Sequence, residues 1–239
     1  MPKTTQKKGV LSDIDIVILA GGLGKRLRPA VSDRPKVLAE VAGKPFLDML
    51  IDNLLGTGFR RIILSVGYLK DHIKNRYAER GVFFVEEESP LGTGGGLKNA
   101  ERLLKSDQIF VMNGDSWVTG GLDFDALHKF HSDRNALVTL LLAKPRKEKD
   151  YGAVFLGDDG KISRFSEKSE TGDVHFMNAG VYCMNRKAFA IMPEGPFSLE
   201  NDFFPKLVGG AMYGFPVEGE LVDIGTPERY NSARKKFES

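Results

Sequence analysis

The stretch Ile14-Asp15-Ile16-Val17-Ile18-Leu19-Ala20-Gly21-Gly22-Leu23-Gly24-Lys25-Arg26-Leu27-Arg28-Pro29 decides the fold. A short apolar run that ends in turn residues reads as a strand buried on both faces, and the glycines after it form a loop. Without Cβ atoms, such a loop lets backbone N–H groups approach phosphate oxygens. Lys25, Arg26 and Arg28 place three cations within four residues to offset a polyphosphate's charge. Two commoner nucleotide loops do not fit. A Walker-type loop needs glycine where Leu19 stands and Ser or Thr where Arg26 stands; a dinucleotide fingerprint starting at Gly22 needs a small residue where Leu27 stands.

Outward from this strand, Phe46, Leu47, Leu50, Ile51, Leu54 and Leu55 recur at helical spacing after Pro45, with Gly56 and Gly58 near the stop. Residues 62–66, 82–85 and 109–112 read as short, fully buried strands separated by helix-sized segments. Strand and helix in alternation predict an α/β fold of Rossmann-like type: a mostly parallel, mixed sheet with helices on both faces. After Ala143 the pattern changes. Segments 151–156 and 161–165 flank Gly157-Asp158-Asp159-Gly160, a hairpin turn signal, and 175–184 is a further strand, so the second half builds a smaller mixed lobe. A last strand, 221–224, precedes Thr226-Pro227-Glu228, a helix start, and the terminal helix to Phe237 is expected to pack back on the sheet.

The bulk numbers narrow the partners. A chain of 239 residues, 41% hydrophobic, buries a sizeable core, and a net charge of +2 is too small for a nucleic-acid surface. One cysteine, Cys183, excludes an internal disulfide framework and points to a reducing, cytoplasmic setting. No apolar run approaches the ~20 residues of a membrane span, and residues 1–12 read as a flexible tail. His72, His128, His131 and His175 lack metal-ligand spacing.

Standing alone, the glycine loop would read as a turn with surface cations. It is followed in order by Arg34-Pro35-Lys36, Gly43-Lys44-Pro45, Pro90-Leu91-Gly92-Thr93-Gly94-Gly95-Gly96, Asn113-Gly114-Asp115, Phe165-Ser166-Glu167-Lys168, Asn178-Ala179-Gly180 and Asp223-Ile224-Gly225-Thr226-Pro227. Together these resemble the sugar-phosphate nucleotidyltransferase family along nearly the whole chain. One local departure is Ala30-Val31-Ser32, where many relatives carry Leu-Thr.

The resemblance implies an enzyme that transfers a nucleoside monophosphate from a nucleoside triphosphate to a sugar 1-phosphate, releasing pyrophosphate, with Mg²⁺ as cofactor. It implies a single domain over residues 13–239, with 13–143 mainly binding nucleotide and 144–239 mainly binding sugar phosphate, and a homo-oligomer as one possible assembly. Catalytic roles fall to Arg26, on the β- and γ-phosphates, Lys36, near the α-phosphate, Asp115, and Lys168, on the sugar's phosphate. Nucleotide contacts fall to Leu19, Ala20, Gly21, Gly22, Gly24, Lys25, Pro90, Leu91, Gly92, Thr93, Gly94, Asn113 and Gly114, with Glu87 chosen from the acids Glu86, Glu87 and Glu88. Glu167, Lys168, Asn178 and Gly180 would meet the sugar phosphate, and Asp115 and Asp223 the metal. Segments 86–95, 198–207 and 221–227 resemble the short guanylyltransferase branch acting on D-glycero-α-D-manno-heptose 1-phosphate. The alternatives are a uridylyltransferase for N-acetylmuramic acid 1-phosphate, whose turn carries Glu where this chain has Gly92, another hexose 1-phosphate, and a binding subunit without turnover. The presence of both the cations and the metal acids argues for turnover.

Overall fold

The computed structural model describes residues 9–120, 122–145, 153–166 and 176–238. The tail expected over residues 1–12 lies outside them up to residue 8; from Val10 to Asp13 the chain makes a 3-10 turn that buries Leu11. In chain order the first elements are β1 (Asp15–Leu19), the two-residue strands β2 (Glu40–Val41) and β3 (Lys44–Pro45), α1 (Phe46–Thr57), β4 (Arg61–Val66), α2 (Lys70–Tyr77), β5 (Phe83–Glu86), α3 (Gly92–Ala100), β6 (Gln108–Asn113), β7 (Ser116–Val118) and α4 (Phe124–Asp133). Next come β8 (Val138–Ala143), β9 (Ala153–Leu156), β10 (Ile162–Ser166), β11 (Phe176–Asn185), β12 (Met212–Pro216), β13 (Leu221–Asp223) and α5 (Pro227–Glu238).

The main sheet runs β10-β9-β11-β6-β1-β4-β5, with β8 paired to β11 and β12 to β8. Strands β6, β1, β4 and β5 are parallel, so their carboxyl ends share one edge, while β11 runs antiparallel to β6. The mixed, mostly parallel sheet that the alternation of apolar runs predicts is therefore borne out. Ile16 and Ile18 of β1 face one core layer with α1, whereas Val17 faces the other with α3, so the continuous apolar run reflects burial on both faces.

Three details depart from expectation, and one strand pairs outside the main sheet. Strand β5, read as fully buried, is the sheet's edge, with Phe83 exposed and stacked under Arg61. The segment from Pro90 to Gly96 reads as a turn, yet Gly92 opens α3. The cause lies outside the segment: the carbonyl of Phe197 accepts from Gly94 N at 2.9 Å and Gly95 N at 3.2 Å, and so occupies two N–H groups of the helix's first turn. Strand β13 pairs with β7 rather than with the main sheet. Helix α5, capped by Thr226 Oγ1 accepting from Arg229 N, packs on β13 and β2 instead of the main sheet.

Candidate active site

The carboxyl edges of β1 and β6 open into a cleft of about 490 Å³. Open α/β sheets bind ligands at this edge, because successive loops part there and expose backbone groups. Leu19, Ala20, Gly21 and Gly22 line one wall as β1 ends. Gly24 then takes φ +61°, and a Cβ there would lie 3.2 Å from the Cβ of Lys36, so glycine serves both the left-handed turn and the approach of the lysine segment. The turn closes by Leu27 N and Arg28 N donating to the Gly24 carbonyl. Leu27 is buried, which anchors the loop and leaves Arg26 projecting from its exposed side into the cleft.

Lys36 is held by similar local means. Pro35 leads into a 3-10 turn, Lys36–Leu38, whose Val37 and Leu38 are buried, so the lysine is fixed by its neighbours' packing. Its Nζ forms an ion pair with Asp115 Oδ2. Asp115 comes just after β6 and is fixed from both sides: Gly114 N donates to the Leu19 carbonyl, and Ile224 N donates to Asp115's own carbonyl, each at 3.0 Å. Burial pushes the Asp115 carboxyl up, but the charges of Lys36 and Arg26 outweigh it and hold the group below the ordinary aspartate value. The carboxylate is thus ionised between two cations at the mouth of a sheet.

Asp223 approaches from the other side. The β7–β13 register sets it opposite Ser116, next to Asp115 in sequence, and its Oδ1 accepts from Gly225 N at 2.9 Å beside Arg229 Nη1 at 3.5 Å. Among the described residues no group of three or more His, Cys, Asp and Glu gathers as ligands. A hard divalent ion does not require one, since one or two carboxylates plus phosphate oxygens and water satisfy it. The residues fit such an ion: two carboxylates flank one strand pair, and the buried Asn113 Oδ1, on the cleft wall, has no hydrogen-bond donor among the described residues.

The three acids ahead of α3 separate. Glu86 pairs outside the cleft with Lys70 at 2.8 Å and Lys74 at 2.6 Å, which hold its carboxyl down at about 2, and Glu88 is exposed. Glu87 alone lines the cleft, accepting from Ser65 Oγ at 3.0 Å and Leu91 N at 3.1 Å. Pro90, Gly92 and Thr93 line it as well. Gly94 does not: it is buried against the Phe197 ring, and its N–H is bound to the Phe197 carbonyl, so it serves packing rather than offering a free donor. Gly24, Lys25, Leu91, Gly114, Asn178, Gly180 and Asp223 lie behind or beside the cleft wall rather than on it, while Glu167 and Lys168 lie outside the described residues. Leu23, Val37, Ser198 and Glu200 line the cleft too; segment 198–207 carries part of the sequence resemblance, but none of these four residues is assigned to the site by the sequence alone.

A glycine loop, two cations and an ionised carboxylate at the carboxyl edge of a parallel sheet define a protein built to hold a polyphosphate and act on it. The chain belongs to the nucleotidyl transferase family, whose sequence profile matches residues 15–239. It is 34% identical over 231 residues to D-glycero-alpha-D-manno-heptose 1-phosphate guanylyltransferase from Aneurinibacillus thermoaerophilus, covering 94% of this chain and 99% of that protein. Mannose-1-phosphate guanylyltransferase from Mycobacterium tuberculosis is 33% identical over 226 residues, 91% of this chain, which spans only 62% of that longer relative. The crystal structure of HddC from Yersinia pseudotuberculosis complexed with GMP-PN superposes with a TM-score of 0.81 at 34% identity, covering 94% of this chain and 99% of that one. The substrates in this family are a nucleoside triphosphate and a sugar 1-phosphate, and a divalent metal is generally used. Among the described residues no helix is long and apolar enough to cross a membrane.

Proposed function

We propose that the protein transfers the guanylyl group of GTP to D-glycero-α-D-manno-heptose 1-phosphate, giving the GDP-sugar and pyrophosphate. The observation that carries the reaction type is Asp115, ionised between Lys36 and Arg26 where β1 and β6 end. The heptose assignment rests on the relative that aligns over 94% of this chain and 99% of its own length. Mannose 1-phosphate is the second reading, favoured by the longer guanylyltransferase that aligns with 91% of this chain.

In this reading a phosphate oxygen of the sugar 1-phosphate attacks the α-phosphorus in line, and pyrophosphate departs. Both reactants are anions, so the protein's task is to neutralise and align them. Arg26 and the N–H groups of the loop through Gly24 take the β- and γ-phosphates, with Lys25 adding long-range positive charge. Lys36 turns from Asp115 to the α-phosphate. Lys168 and Glu167 meet the incoming sugar phosphate, and Asn178 and Gly180 meet its hydroxyls. The base lies between Glu87 and the turn of Pro90 to Thr93. Asp115 and Asp223 would hold Mg²⁺, which supplies charge neutralisation at the phosphates. We place the reaction in the cytoplasm and leave assembly into a homo-oligomer as part of the proposal.

Pyrophosphate release from GTP, UTP, ATP, CTP and dTTP, each with heptose, mannose and N-acetylmuramic acid 1-phosphates and Mg²⁺, tests it. Turnover with GTP and heptose 1-phosphate exceeding every other pair by at least about tenfold is expected. A preference for UTP with N-acetylmuramic acid 1-phosphate sinks the guanylyl reading, and silence across the panel points to a binding subunit.

A further inference from the structure

Glu200 is a buried acid, 7% exposed, on the wall of the cleft. Among the described residues no lysine or arginine lies within ion-pair distance of it, and three hydroxyls surround it instead. Thr93 Oγ1 donates to Oε2 at 2.6 Å, Ser198 Oγ donates to the same oxygen at 2.9 Å, and Tyr182 O–H donates to Oε1 at 3.1 Å. Buried polar oxygens need hydrogen-bond partners, so these donors are what hold the Glu200 side chain in place.

The donors belong to different parts of the proposed site. Thr93 lies in the turn assigned to the base. Tyr182 lies on β11, and its oxygen accepts from Asn178 Nδ2 at 3.0 Å, while Asn178 Oδ1 accepts from Gly180 N at 3.0 Å. Asn178 and Gly180 are the residues assigned to the sugar. At Gly180 the register of β11 shifts and φ is +71°; a Cβ there would lie 2.7 Å from Asn113 Nδ2, so the chain of bonds ends against the residue two before Asp115. At the other end, Leu199 N donates to Thr93 Oγ1 at 2.9 Å, and Phe197 N donates to the Leu91 carbonyl at 2.9 Å. Residues 197–200 therefore move with the base turn.

Every hydrogen in this chain has one permitted direction. A carboxylate only accepts and an amide nitrogen only donates, so Thr93 and Tyr182 must both point their hydrogens at Glu200. Displacing Thr93 by an ångström leaves a buried oxygen short of a donor, which the chain resists. We propose that Glu200 is a positioning residue that couples the two ends of the cleft: with Thr93 and Tyr182 held on opposite carboxylate oxygens, nucleotide in the base turn sets the orientation of Asn178 and Gly180, so that each ligand tightens the binding of the other. This inference rests on the function proposed above.

Titration calorimetry on the whole chain tests it, with α,β-methylene GTP and Mg²⁺ as one ligand and D-glycero-α-D-manno-heptose 1-phosphate, or mannose 1-phosphate, as the other. In the wild type, saturating nucleotide analogue is expected to tighten sugar 1-phosphate binding roughly tenfold, and linkage requires the same factor in the reverse order. Glu200→Gln keeps the shape but places an amide donor against a hydroxyl, and should reduce the factor to within about twofold of unity. Tyr182→Phe retains the ring stacked edge-on with Phe204 and removes the hydroxyl that joins Asn178 to Glu200, so it should do the same even where the Glu200 variant folds poorly. A wild type without coupling, or variants that keep the wild-type factor while losing sugar affinity alone, overturn the inference; the latter result would make Glu200 a direct sugar contact. A wild type that binds the nucleotide analogue but neither sugar 1-phosphate overturns the proposed function and this inference together.

Discussion

Asp15 and Asp115 flank the same pair of parallel strands from opposite ends, and their surroundings could hardly differ more. Asp15 opens β1 at the amino edge, fully buried, and accepts from Arg61 Nε at 2.6 Å, Lys105 N at 2.5 Å, Ser106 N at 2.8 Å and Ser106 Oγ at 3.1 Å. Its lone pairs are spent inside the protein. Asp115 stands beyond the end of β6 with its side chain 23% exposed, paired to Lys36 and facing the cleft. A carboxylate saturated by fixed donors clamps a fold, whereas one balanced by a single lysine beside open space can exchange that lysine for a ligand. In parallel strands the carboxyl ends are where loops diverge, so function gathers there and stability devices collect at the other edge.

The comparison breaks most visibly at Asp15. Asp15→Ala leaves Arg61, also largely buried, without its partner and strands two backbone N–H groups, so the expected loss is about 3 to 5 kcal/mol of folding stability. Chemical denaturation should show this, with the rate per folded molecule near wild type; a stable variant with a lost rate would invert the assignment of the two edges. Asp115→Asn should do the opposite. Removing the charge at the reacting edge is expected to cost about 3 kcal/mol in activation, roughly a hundredfold in pyrophosphate release. The melting temperature should move by no more than about 4 °C, and a near-normal rate would end the metal-ligand assignment.

The same variant carries a pH signature. The folded pKa of Asp115 lies below its ordinary value of 3.8, because Lys36 and Arg26 outweigh burial. The stability it contributes is therefore present above that value and is lost as pH falls through the folded pKa. The stability gap between wild type and Asp115→Asn should accordingly shrink as the solution is acidified below the ordinary value. A gap that widens in acid would show that burial dominates instead.

How far the sequence discloses all this depends on whether the deciding contact is local. Strand β1, helix α1 and the β9–β10 hairpin are dictated by apolar spacing and turn chemistry within a few residues, and they form where expected. Lys36 is legible only through the ordered motif set, because a lone lysine reads as a surface cation; the structure then shows that Pro35 and the buried pair Val37 and Leu38 fix its turn. Gly92 to Gly96 misleads because glycine announces a turn, while a carbonyl at Phe197, about a hundred residues away, makes it a helix. Glu200 escapes notice for the same physical cause: alone it is one more acid in a polar segment, and only folding brings Thr93 and Tyr182 to it. Asp223 required the resemblance as well, because its two-residue path to Gly225 reads equally well as a helix cap.

The smallest expected effect sharpens the comparison most cleanly. Ser106 touches Asp15 three times, donating from its hydroxyl and backbone nitrogen to Oδ2 and accepting from Asp15 N at 3.0 Å. Ser106→Ala deletes the two hydroxyl contacts but keeps the backbone donor, and Arg61 still neutralises the carboxylate. Net hydrogen bonds of this kind are each worth about 1 kcal/mol. For a chain of this length the melting temperature should fall by roughly 2 to 4 °C for each kcal/mol lost. Pyrophosphate release should be unchanged, because the clamp lies at the far end of β1 from the cleft and acts only on whether the sheet is formed. A stability loss of this size with an equal loss of rate would mean that strain at the amino edge is transmitted along β1 to the glycine loop, and that the two edges are not independent devices.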